Sequence, residues 1–237
     1  MAERSPYQAS PRDALQSVSH RLAAASHDLQ QPLQAMGLLI EVLRKRELSD
    51  DVSAIVVRLA EAHGASRALL MAMLDLSRLE SGMVRLDPSV MRADDVMADL
   101  KATFRPMAAD KGVLLSFVPS SAAVRSDRTW IVRMLGNLIA NALAHSGTDR
   151  IVAGCRRRGD LLRFEVWDRG KGMDQARLDA ELSGAGEGAG MGLAIVAAAA
   201  ALLGHPLEGD TKPGGGTRIA VSVPLAEAID NQTLNSA

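Results

Sequence analysis

Cysteine occurs once in this 237-residue chain, at Cys155, so no disulfide can form within it and the usage suits a reducing compartment. Excess charge is also missing. Lys and Arg number 27 against 28 Asp and Glu, a formal net charge of −1. Nothing global therefore points to nucleic acid or to an anionic membrane. The basic run Arg156-Arg157-Arg158 is short and leads into Gly159-Asp160, as a solvated strand end and hairpin would. No apolar run approaches the roughly 20 residues of a spanning helix. The longest, Met191–Leu203, is about 13 residues and mostly alanine. The first dozen residues are polar with two prolines, unlike a signal peptide. No internal repeat is visible. The expectation is a cytoplasmic protein without direct membrane insertion, any tether or sensor domain lying outside this chain.

What is present is enough for an ordinary folded core: 47% hydrophobic and 23% charged residues. The length fits one large domain or two small ones. From about Arg12 to Arg46, Leu15, Val18, Leu22, Ala25, Leu29, Pro32, Met36, Leu39 and Leu43 step by three and four, a heptad seam. A polar break at Glu47–Asp50 precedes a second seam from Asp51 to about Leu79: Val52, Ile55, Leu59, Ala62, Ser66, Leu69, Met73 and Leu76. The pattern predicts two helices, each roughly 45–50 Å long at about 1.5 Å per residue, in an antiparallel hairpin. One hairpin cannot bury both seams, so a homodimer forming a four-helix bundle is expected. Ser81-Gly82 ends the second helix, and Val84–Pro88 reads as an extended linker.

Beyond the linker the texture changes. Met91–Asp110 and Thr129–His145 read as helices. Val113–Val118, Ala122–Arg125, Ile151–Arg157, Leu161–Trp167 and Thr217–Val223 read as strands. A Gly-rich stretch, Ser183–Gly192, feeds an Ala-rich helix to about Leu203. This is an α+β sandwich with a mainly antiparallel sheet. The domains expected are 12–82 and 89–226.

Four groups of residues carry chemistry. On the first helix His27 lies two positions before the seam residue Leu29, so it faces solvent. Asp28 beside it can orient the imidazole or hold its Nδ1 proton, leaving Nε2 as nucleophile. Pro32 removes the donor for the Asp28 carbonyl and costs about 3 kcal/mol inside a helix, which a local hinge beside the histidine would explain. On the apolar helix Asn137 and Asn141 are four apart, hence on one face. Helix–helix hydrogen bonding would explain them; so would an amide oxygen for Mg²⁺ shared with phosphates. Asp168-Arg169-Gly170-Lys171-Gly172 follows a strand directly. It reads as a common turn, or as purine recognition in which the carboxylate accepts from the adenine amino group. Gly188-Ala189-Gly190-Met191-Gly192-Leu193 opens a helix and Gly214-Gly215-Gly216-Thr217 opens the last strand, backbone able to cradle phosphates.

Each motif alone is ambiguous, but their order is not. Ser26–Leu33, Asn137–Ser146, Asp168–Met173, Gly188–Leu193 and Gly214–Thr217 resemble, in turn, the H box, N box and three glycine boxes of sensor histidine kinases, over about residues 12–224. Leu76–Gly82 is similar to the family's end of the second dimerisation helix. The resemblance implies a dimeric helical hairpin carrying the phosphorylated histidine, followed by a Bergerat/GHKL-type ATP-binding domain. It implies ATP and Mg²⁺ as ligands, with His27, Asp28 and Gln31 as catalytic residues. Asn137, Asn141, Asp168, Gly170, Gly172, Gly188, Gly190, Gly192, Leu193 and Thr217 would line the nucleotide, and Asn141 would hold the metal. The implied partner is a response-regulator receiver domain, and the segment 82–88 would let the ATP domain swing toward His27. Two features depart from the pattern. Ala144 stands where the family has a lysine or arginine, and the short stretch Asp174–Glu187 lacks a phenylalanine box and holds Arg177 as its only basic residue. Fewer cationic contacts imply weak ATP affinity or a need for activation. Gln31 replaces the usual threonine or asparagine, on a longer arm that can still position water for regulator dephosphorylation. The alternative reading is a catalytically weak or inactive phosphatase or phosphotransfer adaptor. A chaperone- or clamp-type ATPase of the same fold is opposed by the lack of an acid beside Asn137.

Overall fold

A computed structural model describes residues 31–80, 84–184 and 191–226. The chain divides into two compact units, Met1–Val84 and Arg85–Ala237.

In the first unit, helix α1 is described over residues 31–44, and α2 spans Asp50–Glu80. Asp50 and Asp51 occupy the first turn of α2 and Arg78 its last, each favourable with the helix dipole. The helices meet where the His63 ring nitrogen Nε2 lies 2.7 Å from the Leu33 carbonyl oxygen. A side chain at residue 37 would press on that ring, since a Cβ on Gly37 would lie 2.9 Å from His63 Cε1. Ile40, Val56 and Leu74 are buried. The seams are not. Leu39 is 64% exposed and Ile55 63%, and Met36, Leu43, Val52, Leu59, Leu69 and Met73 are exposed too. The heptad stripes thus lie outside the surface that closes one hairpin.

The second unit is built on a five-stranded sheet in the order β2-β4-β5-β7-β6. Its strands are β2 (Leu114–Phe117), β4 (Arg150–Arg158), β5 (Leu161–Asp168), β6 (Leu207–Lys212) and β7 (Gly216–Pro224). Only β2 and β4 run parallel. A two-stranded ribbon pairs β1 (Ser89–Arg92) with β3 (Ala123–Ser126). The helices are α3 (Ala93–Asp110), α4 (Arg128–His145), α5 (Gln175–Leu182) and α6 (Met191–Leu203). Leu162, Phe164 and Val166 of β5 stand in register with Val223, Val221 and Ile219 of β7. That row meets Ile131, Leu135 and Ile139 of α4 and Ile195 of α6 in the buried core. Burying such side chains contributes about 1.5–3 kcal/mol each. Alanines 197, 199 and 200 are buried and let α6 lie close to α4.

Caps place the ends that matter. The Asp127 side chain accepts from Trp130 N at 3.2 Å and starts α4. The Asp174 side chain accepts from Ala176 N and Arg177 N and starts α5. Gly204, at φ 67°, stops α6 in a Schellman pattern: Gly204 N–H bonds to Ala201 O and His205 N–H to Ala200 O.

Three elements differ from the sequence expectation. Met91 and Arg92 belong to β1, not to a helix; Arg92 is extended (φ −81°, ψ 139°) because β1 pairs with β3, about thirty residues away. Segment 207–212 is strand β6, polar in sequence and recruited by β7. Residues 175–182, within the stretch Asp174–Glu187 for which the sequence predicts no element, form α5, held by the fully buried Leu178. Among the described residues no helix is long and apolar enough to cross a membrane.

His205 is buried behind α6, with Nε2 2.7 Å from Ser126 Oγ and Nδ1 without a partner. Burial holds its imidazole below the ordinary range. The folded state therefore binds that proton less readily than the unfolded state. Its stabilising effect is present above about pH 6.5, the ordinary imidazole pKa, and is lost as pH falls through the lowered folded value. Thermal melts of the chain between pH 7.5 and 5 should show stability declining on acidification, with the decline flattened in His205→Gln.

Candidate functional site

The end of β5 organises the site. Asp168 pairs with Thr217 across β5 and β7 and with Ile151 across β4 and β5, so its backbone is fixed on both sides. Its carboxylate accepts from Gly170 N at 2.8 Å. Burial pushes the Asp168 carboxyl above the usual carboxylate range, and the Gly170 and Thr217 backbone donors oppose that rise.

The turn after Asp168 is threaded between other backbones. A Cβ on Gly170 would lie 2.1 Å from Ser146 O, and one on Gly172 would lie 2.0 Å from Lys212 O. Gly172 has φ 58° and Gly216 φ 85°, both costly for other residues. A Cβ on Gly216 would lie 2.1 Å from Asp168 O. Hydrogen bonds lock the same meeting point. Lys171 N donates to Ser146 O (2.9 Å) and Gly214 N to Lys171 O (2.7 Å). Met173 N donates to Thr211 Oγ1 (3.0 Å), which bonds onward to Gly216 O (3.1 Å). The glycines are thus required by close approach as well as by turn geometry.

These elements enclose a cavity of about 420 Å³. The structure brings Asn141, Asp168, Gly172, Leu193 and Thr217 to its wall. Asn137 does not line it; its Nδ2 donates to Arg133 O one turn back at 2.9 Å. Among the described residues the Asn141 amide makes no hydrogen bond, and it faces Gly192, where a Cβ would lie 2.9 Å from Asn141 Oδ1. Gly170 shapes the turn from outside the cavity. Gln31 is exposed on α1. His27, Asp28, Gly188 and Gly190 lie outside the described residues.

Ala144 is exposed near the end of α4, but the wall is not without cations: Lys171 and Arg177 line it, as does the His145 ring. Arg177 is anchored by a 3.1 Å bond from Nε to Glu181, which lines the cavity and is 4% exposed. The sequence marks Arg177 only as the one basic residue of Asp174–Glu187, and does not mark Glu181. Their i,i+4 spacing was the available signal. Nor does the sequence mark Thr211, which bonds both glycine turns from an edge strand.

An amide oxygen with no protein partner suits a hard cation such as Mg²⁺. Among the described residues no group of three or more His, Cys, Asp or Glu could hold a metal alone, so any metal at Asn141 would share its ligands with phosphates or water. Cys155 is chemically quiet: burial, with Asp94 and Glu165 nearby, pushes its thiol up to about 12.

Such a cavity, walled by a five-stranded sheet, an Asn-bearing helix and glycine turns, defines a nucleotide-binding domain of the GHKL ATPase type. Residues 126–227 match the family "Histidine kinase-, DNA gyrase B-, and HSP90-like ATPase". Residues 17–82 match "His Kinase A (phospho-acceptor) domain". The chain belongs to the histidine kinases and carries the two domains of their catalytic core. It is 28% identical over 163 residues to sensor histidine kinase RcsC of Escherichia coli K12, covering 68% of this chain and 17% of RcsC. It is 32% identical over 152 residues to the autoinducer 2 sensor kinase/phosphatase LuxQ of Vibrio cholerae, covering 61% of this chain and 18% of LuxQ. The chain therefore spans under a fifth of either relative. Full-length ShkA in complex with AMPPNP has the same fold, with TM-score 0.68 at 22% identity over 88% of this chain and 46% of ShkA.

Gly172→Ala tests the threading of the turn. It should destabilise the protein by at least about 1–2 kcal/mol from the left-handed backbone alone, lowering the denaturant midpoint. Gly64→Ala, in α2 with nothing within 4 Å of an added Cβ, should leave the midpoint unchanged or raise it.

Proposed function

We propose that this chain catalyses ATP-dependent phosphorylation of its own His27 and passes the phosphoryl group to an aspartate of a response-regulator receiver domain. The observation that carries the reading is the Asp168 carboxylate held at the wall of one cavity with Asn141 and Thr217, in a chain whose residues 17–82 match a phospho-acceptor domain. The proposed domains are a dimerisation and phosphotransfer hairpin over 12–82 and an ATP-binding domain over 89–226.

In this reading the Asp168 carboxylate accepts a hydrogen bond from the adenine amino group, an acceptor that would repel the carbonyl of guanine. Gly170 and Gly172 hold the turn that presents it. Thr217 and Leu193 line the base, while Gly188, Gly190 and Gly192 offer backbone to the phosphates at the start of α6. Asn141 would hold Mg²⁺, which when bound neutralises charge on the phosphate oxygens. Asn137 supports the helix through its bond to Arg133 O, close to the nucleotide but not on it. Lys171 and Arg177 supply cationic character that Ala144 does not.

At the acceptor, the Nε2 lone pair of His27 attacks the γ-phosphorus and the bond to the β,γ-bridging oxygen breaks, releasing ADP. Asp28 holds the Nδ1 proton and so fixes the reactive tautomer. In the second step a regulator carboxylate attacks that phosphorus and the P–N bond breaks, returning neutral His27. Gln31 would orient water for an opposing reaction, hydrolysis of the regulator's acyl phosphate.

Dimerisation follows from the hairpin. Its exposed seam residues, Leu39, Ile55, Leu69 and Met73 among them, form a surface that a second copy would cover. A cytoplasmic location agrees with the single cysteine.

Incubation with γ-labelled ATP and Mg²⁺ should place acid-labile, base-stable label on the wild-type chain and none on His27→Ala. Label on both, or on neither with the protein folded and dimeric, would overturn the autokinase reading. Gln31→Ala should slow regulator dephosphorylation at least several-fold while leaving autophosphorylation intact, read from decay of the labelled regulator.

A further inference from the structure

The ATP-binding unit has a second cavity, about 370 Å³, on the opposite face of the sheet from the first. Val152 and Gly154 of β4 and Glu165 and Trp167 of β5 form its floor. Val118 closes one side by lying on Gly154, where an added Cβ would come within 2.9 Å of it. Around the rim stand Arg150, Arg156 and Arg169, all exposed.

The floor is electrically complete without the rim. Glu165 accepts from Trp167 Nε1 at 3.0 Å and from Arg218 Nη1 at 3.3 Å. Arg163 bonds to Glu208, and Arg218 also bonds to Asp210. Among the described residues none of the three rim arginines forms an ion pair. Three like charges around one concavity repel one another and attract an anion.

Two of the three are set as a pair. The Thr148 hydroxyl oxygen accepts from Arg150 N at 3.0 Å and from Arg169 N at 3.3 Å. Arg156 lies six residues further along β4, about 20 Å at 3.3 Å per residue. Cationic groups therefore stand at both ends of a trough whose middle exposes Val118 (47%) and Trp167 (45%), with the Glu165 carboxylate buried and hydrogen-bonded beneath them. Arginines that guard a strand edge would explain Arg156. They would not explain Arg150 and Arg169, which flank backbone already paired by β2 and β5. A single phosphate cannot reach both ends. An extended chain with carboxylates about six residues apart can.

We propose that this trough binds an acidic, extended peptide segment of a partner protein, with carboxylates on Arg150 and Arg169 at one end and on Arg156 at the other, and apolar side chains on Val118 and Trp167 between. Asp168 borders both cavities, so the peptide would lie behind the carboxylate that faces the nucleotide.

The chain has two tryptophans, and Trp130 is buried, so a change in emission on titration reports Trp167. The probe is an eight-residue peptide with two glutamates at each end and alternating valine and threonine between. A saturable emission change that weakens with salt is expected. Affinity should fall at least ten-fold in Arg150→Gln/Arg169→Gln and in Arg156→Gln, with melting temperatures matching wild type. Absence of saturable binding, or wild-type affinity in either variant, would overturn the proposal. Saturable binding of inorganic pyrophosphate without any response to the peptide would also overturn it, assigning the trough to small anions instead.

Discussion

Three backbone segments meet at the end of β5 with no room for side chains between them. The carbonyl of Asp168 faces Gly216, the carbonyl of Lys212 faces Gly172, and the carbonyl of Ser146 faces Gly170, each about 2 Å from where a Cβ would be. Everything in the nucleotide cavity depends on that contact. It joins the C-terminal end of α4, the turn after β5 and the β6–β7 hairpin, and these elements supply Asn141, Asp168 and Thr217 respectively. The sheet register then does the rest: Asp168 opposite Thr217 puts both on the helix-facing row, beside Val166 and Ile219.

The hairpin depends on the opposite circumstance, a surface left uncovered. Among its described residues the buried apolar ones, Ile40, Val56, Leu74 and Leu79, are few, while seam residues such as Leu39 and Ile55 are exposed. Burial of apolar surface stabilises by about 25 cal/mol per Å², so covering those seams in a dimer would strengthen the unit considerably. The proposed acceptor histidine and the seam would then be carried by the same helix on different faces.

The long periodic helices and the alternating strands β4, β5 and β7 were legible because their burial patterns follow the period of each element. Segments β1, β6 and α5 were not. The strand Leu207–Lys212 holds one apolar residue and exists because β7 offers it a ladder. The strand at Ser89–Arg92 buries only Met91 and is fixed by a partner distant in sequence. Helix α5 is eight residues long and depends on the Asp174 cap and on Leu178 packing. At the site, the motifs located Asp168 and the glycine turns, but spacing could not separate Asn141 from Asn137. Both lie on one face of α4, yet only the first reaches the cavity. Thr211 and Glu181 carry no motif, since their importance arises from tertiary approach.

In the proposed function the Asp168 carboxylate makes this cavity an adenine-nucleotide site. Calorimetric titration of the chain with ATP and with GTP, in Mg²⁺, tests it most directly. One ATP should bind per chain, GTP should bind at least ten-fold more weakly, and Asp168→Ala should lose ATP binding with the fold retained. Equal affinity for the two nucleotides, or undiminished ATP binding by Asp168→Ala, would contradict it.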